Sequence, residues 1–250
     1  MMKRCMTSVL ALCTALAYSG GSAGEAALPA PKRNEAMLIK QEYPLTAQQK
    51  QTAVIAADAA TGDLPGLHAA LQQGLDAGMT ISDCREILVQ LYAYAGFPRS
   101  LNALSELMNV VNVRREQGVQ DAEGHLPGPL PKPEEMLAAG RRNQTELVGS
   151  PVKGALFDFA PAIDHYLKAH LFGAIFSRDN LDWKKRELAT VGALAAMTGV
   201  ESQLKAHLGI SRNVGLTDAQ LAELIPLFES RGERSTAQRL QHALDSTIAR

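Results

Sequence analysis

Residues 191–217 read VGALAAMTGVESQLKAHLGISRNVGLT, and residues 54–80, which lie 137 positions earlier, read VIAADAATGDLPGLHAALQQGLDAGMT. Set against each other without a gap, Val54, Ala56, Thr61, Gly62, Leu67, Ala69, Gly78 and Thr80 fall on Val191, Ala193, Thr198, Gly199, Leu204, Ala206, Gly215 and Thr217. Glu86 falls on Glu223 at the same offset. Both stretches read as helix, Thr-Gly turn, helix, Gly-x-Thr turn and the start of a third helix. Glycine suits the left-handed residue that stops a helix, and threonine caps the next one. Shared punctuation accounts for part of the match. The common spacing over a three-helix unit points to an internal duplication.

Outward from this repeat, apolar residues recur three and four apart in segment after segment, and no stretch alternates as strands do. The class is all-α. The spacing predicts helices over 46–61, 64–77, 81–95, 99–116, 134–148, 160–176, 182–198, 201–213, 217–230 and 235–248. Thr46 with Gln49, Thr80 with Asp83, and Thr217 with Gln220 have the form of capping boxes. Residues Gly124 to Pro133 hold four prolines and two glycines, which cannot continue a helix. The expected organisation is a first repeat at 40–118, a linker at 119–133 and a second repeat at 134–250.

The chain has 250 residues, 46% hydrophobic and 20% charged, the balance of an ordinary globular protein. A formal net charge of −1 supplies no positive field for a phosphate backbone, so nucleic acid and anionic membrane are excluded as expected partners. Lys3 and Arg4, the apolar run Met6 to Ala17 and the small residues that follow read as a secretory signal over 1–24. Export to the periplasm or the medium follows. Signal removal takes Cys5 and Cys13, leaving Cys84 as the one thiol and excluding a two-cysteine redox cycle within a chain.

Glu187 opens the stripe Glu187, Val191, Leu194, Ala195 and Thr198, which sets a carboxylate on an apolar helix face. His207 shares a similar stripe with Leu204, Leu208 and Ser211 on the next helix. At the rise of a helix, Glu187 lies about 17 Å before the Thr198-Gly199 turn and His207 about 12 Å beyond it, so antiparallel helices bring the two within reach. One reading is an acid–base pair. The other has Glu187 paired with Lys184 or Arg186 and His207 as a core histidine. His68, His165, His170 and His242 have no metal-ligand spacing with nearby acids or cysteine, and no metal or cofactor is expected.

The runs His170 to Leu181, Lys185 to Thr190, Glu201 to His207 and Asn213 to Thr217 together resemble the carboxymuconolactone decarboxylase family, of the alkylhydroperoxidase D-like superfamily. The resemblance implies two copies of that helical repeat packed together. It implies that Glu187 and His207 line an active site and that Arg178 supplies a counter-charge for an acidic substrate. The family's alkylhydroperoxidase branch carries Cys-x-x-Cys-x-x-x-His after the turn. Here Val200 and Gln203 occupy the cysteine positions, which removes that route. The first copy has Lys50 and Ala70 where the second has Glu187 and His207, but keeps Tyr94-Ala-Gly-Phe-Pro98, which resembles the Tyr-x-Gly-x-Pro ending of family domains. A composite cleft follows in which Tyr94 faces Glu187 and His207. The alternative has Tyr92 and Tyr94 packed in the core.

The implied function is a lyase of the carboxymuconolactone decarboxylase type, acting on a small carboxylated lactone or organic acid. Two alternatives stand beside it. One is a peroxidase using Cys84, whose place in the first turn of a helix would lower its pKa. The other is a noncatalytic binding protein. Single-copy members of the family form rings of six, so the expected assembly is a homo-oligomer, favoured as a trimer of two-copy chains.

Overall fold

The computed structural model describes residues 43–248. The signal expected at 1–24, with Cys5 and Cys13, lies outside the described residues. These residues form helices and connecting segments, with no strand among them. The helices are α1 (Ala47–Thr61), α2 (Leu64–Asp76), α3 (Ile81–Glu116), α4 (Met136–Val148), α5 (Ala155–Phe159), α6 (Pro161–Tyr166), α7 (Trp183–Ala196), α8 (Glu201–Asn213), α9 (Asp218–Ala222), α10 (Leu224–Ser230) and α11 (Arg234–Ile248). A π-helical segment, Leu167–Ile175, continues α6.

The duplication is visible in the backbone. Helices α2 and α8 begin and end at positions 137 apart, as do the starts of α3 and α9. Gly62 and Gly199 take φ of 75° and 78°, and Gly78 and Gly215 take 87° and 90°. Thr80 and Thr217 each close a capping box, accepting from the backbone of Asp83 and Gln220.

Helices α1 and α7, equivalent in the two repeats, form the centre. Every residue from Thr52 to Ala60 and from Arg186 to Ala196 is buried, so both are enclosed on all sides rather than on one stripe. Their small side chains allow this. A Cβ added to Gly192 would lie 2.2 Å from the carbonyl oxygen of Ala53, so the helices meet backbone to backbone. The core around them draws on both repeats, from Leu67, Leu71 and Leu88 to Leu204, Leu221 and Leu240. A smaller cluster joins Leu147 of α4, Leu171, Phe172, Ile175 and Phe176, and Ile210 of α8.

The expected helices 81–95 and 99–116 are the two limbs of α3, divided by a sharp bend at Gly96 (φ 81°, ψ 162°) before Pro98. The Ser100 hydroxyl donates to Leu88 O across that bend at 2.7 Å. The expected helix 160–176 is broken into α6 and the π-helical segment, and α5 precedes Pro161. The expected helix 217–230 divides at Glu223, because Pro226 has no N–H to give the carbonyl of Ala222.

The segment between the repeats is strapped down. Ile81 and Ser82, in the first turn of α3, donate their backbone N–H groups to Ala122 O and Glu123 O, both at 2.9 Å. Helix starts leave such donors without intrahelical partners, and here linker carbonyls take them. The Gly128 N–H then reaches Asp179 Oδ1 at 2.7 Å.

Candidate active site

Glu187 stands in the second turn of α7, after the cap made by Asp182, whose carboxylate accepts from Lys185 N. His207 stands at the middle of α8. The two helices return on each other through Gly199, and the His207 Nδ1 to Glu187 Oε2 distance is 2.8 Å. Glu187 is fully buried and His207 is 8% exposed. A carboxylate accepts, so the hydrogen of this contact belongs to Nδ1 and the lone pair of the neutral ring to Nε2. Nε2 has no partner among the described residues, and the side chain keeps 10% of its surface open.

Tyr94 comes from the other repeat, on the first limb of α3. Its ring meets the His207 ring edge-on, with centroids 5.5 Å apart. Its hydroxyl is sealed from solvent beside the Thr190 hydroxyl without a hydrogen bond of good geometry, and Glu187 Oε1 and Arg186 Nε are likewise sealed and unpartnered. Burial, reinforced by the Glu187 carboxylate, pushes the Tyr94 hydroxyl well above its ordinary pKa. Three unsatisfied polar atoms on residues that touch or adjoin one another are unusual in a folded interior.

Arg178 does not face open space. Its guanidinium is taken by Glu86, Nε at 2.6 Å and Nη2 at 2.9 Å. Glu86 also receives Arg186 Nη2 at 2.9 Å and Asn180 Nδ2 at 3.1 Å. Burial alone would raise the Glu86 carboxyl, but the two guanidinium groups and Asn180 outweigh it and hold it below the usual carboxylate range. Arg186 is fully buried, and its Nη1 donates to Gln90 Oε1 at 3.0 Å. Gln90 in turn donates to Arg186 O and to Thr190 Oγ1.

Glu187 therefore pairs with His207 rather than with Lys184 or Arg186, because Arg186 is already committed to Glu86. The network of Glu86, Gln90, Arg186 and Thr190 was not singled out from sequence. Two signals pointed to it: Glu86 is one of the positions shared by the repeats, and Gln90 stands one helical turn before Tyr94.

Cys84 is 0% exposed in the first turn of α3. Burial, helped by Asp83 and Asp121, pushes its thiol up to about 12. The helix start was expected to lower it. Desolvation of a thiolate outweighs the dipole, and the sulfur behaves as a small core hydrophobe. Among the described residues no group of three or more His, Cys, Asp and Glu is arranged to hold a metal ion. Nor is any helix among them long and apolar enough to cross a membrane.

A model of the carboxymuconolactone decarboxylase family matches the chain in two segments, residues 28–107 and 161–227. Together they make up more than half of its length, one in each repeat. No curated protein matches the chain.

Proposed function

Starting from a chain that belongs to the carboxymuconolactone decarboxylase family, we propose that it is an acid–base enzyme acting on a small carboxylated lactone or related organic acid. One observation carries this reading: a buried carboxylate binds one nitrogen of an imidazole and leaves the other without a partner. Glu187 fixes the ring's orientation and steadies the imidazolium. His207 Nε2 is the atom that moves the proton. In a decarboxylation, the bond to the carboxylate breaks, carbon dioxide leaves and the electron pair passes into the adjacent carbonyl as an enolate. The Nε2 lone pair first takes a proton from solvent at its open edge, and the imidazolium so formed delivers that proton to carbon, which returns the ring to its neutral form.

Tyr94 supplies the hydrogen bond to the carbonyl or lactone oxygen, which gives its unpartnered hydroxyl an acceptor. Arg178 is held by Glu86, a carboxylate that it shares with Arg186, so the pair of guanidinium groups keeps one positive charge in excess. The sealed, protonated Cys84 gives a peroxidase no nucleophile.

Replacing His207 by alanine should lower turnover on a responsive lactone acid by about a hundredfold or more, with helical content by circular dichroism retained. Equal turnover in wild type and mutant removes the assignment, and tight binding without turnover in the wild type favours a binding protein. The remaining readings are that the full chain is exported and that it assembles as a trimer. Cell fractionation and sedimentation test these two, and cytoplasmic retention or a monomer would overturn them.

A further inference from the structure

We propose a second ligand site for a small multivalent oxyanion, in the pocket between α4, the loop that follows it and the π-helical segment. The pocket has a volume of about 280 Å³. Arg141, Gln144 and Thr145 line it from one face of α4, being three and four residues apart. Lys153 enters from the loop and Lys168 from the π-helical segment. Neither Glu187 nor His207 belongs to this lining.

Gln144 is 3% exposed, and its amide has no hydrogen-bond partner among the described residues. Its amide atoms still reach solvent within the pocket, where the NH2 can donate to a bound anion. Lys168 is answered by Asp164 at 2.6 Å. Arg141 and Lys153 have no anionic partner among the described residues, so the pocket carries two uncompensated positive charges beside an unfilled amide. Arginine and lysine donate and never accept. A cation would be repelled and a neutral apolar molecule would leave the donors unmet, whereas two negative charges on one small body match the pocket.

The walls are fixed in relation to each other. A Cβ on Gly140 would come within 1.7 Å of Lys168 O, so α4 and the π-helical segment touch through their backbones. That contact sets the separation of Arg141 and Gln144 from Lys168 before any ligand arrives, and a preformed site loses less entropy on binding.

Phosphate and a short dicarboxylate share the required chemistry, and the test separates them. Thermal unfolding of the full chain is followed with inorganic phosphate, with a short dicarboxylate and with chloride at matched ionic strength. Either divalent probe should raise Tm where chloride does not, and the stronger probe identifies the source. Lys153→Ala and Arg141→Ala, both at exposed positions, should each weaken binding by about tenfold or more in titration calorimetry. Gln144→Leu should do the same. Equal shifts with chloride, or unchanged affinity in all three variants, would overturn the proposal. Loss of anion binding in His207→Ala would overturn it too, by placing the anion at the other site.

Discussion

Glu86 is one carboxylate answering two guanidinium groups in the interior, and its removal leaves Arg186 charged and enclosed with no anion in contact. Breaking a buried pair from one side costs about 3–5 kcal/mol. Glu86→Gln should lower the denaturant midpoint accordingly, and a loss below about 1 kcal/mol would mean that Arg186 finds another anion or water. Asp58 behaves in the opposite sense. Burial outweighs Arg231, 2.7 Å away, while Glu233 and Asp63 add like charge, so its carboxyl is raised from 3.8 to about 7. A folded-state value above the unfolded one means that the native chain holds the proton more tightly. The Asp58 contribution is then greatest below pH 4, declines as pH climbs to about 7, and is level beyond. Asp58→Asn should gain on wild type over that interval, as read from urea midpoints at pH 5 and pH 8. A constant difference would remove Asp58 as the source. Positions of Glu187 and His207 were legible in sequence because helix rise and one turn decide them. Arg178 was not, since its partner Glu86 lies 92 residues away and no local spacing reports it.

At the scale of elements, capping chemistry and glycine stops carried most of the boundaries, and packing decided what they left open. Periodicity finds a helix that shows one apolar face. It says little of α1 and α7, which are buried all round, or of which helices adjoin. Their contact depends on Gly192, so Gly192→Val forces a branched side chain into the Ala53 carbonyl. Overpacking of this kind costs about 1–3 kcal/mol. Tm should fall, whereas an unchanged Tm would mean the helix pair can separate without penalty. The π-helical segment was read as ordinary helix because its residues have helical propensity. Its wider hydrogen bonding accompanies a close fit to α4, Gly140 of α4 lying against Lys168 O and Gly173 of the segment against Met136 O.

Over the whole molecule the repeats exchange ties. Glu86 of the first reaches Arg186, the fourth residue of α7, and its counterpart Glu223 reaches Lys50, the fourth residue of α1, at 2.7 Å. The candidate site follows the same pattern, with Tyr94 from the first repeat and Glu187 and His207 from the second. Repetition was legible in sequence through nine matching positions. The reciprocity was not, because it is a relation between halves. A consequence concerns scission. The stretch Pro129–Leu130 is exposed and outside any helix, so a protease nick there would divide the chain into pieces that each lack part of the site. Held by the shared interior, the nicked pieces should co-elute on a sizing column and keep their helical content until denaturant parts them. Separate elution of the pieces would mean that each half closes around itself. If the pieces co-elute, physical continuity of the chain is a matter of delivery, one copy of each half at a time, rather than of holding the finished fold together.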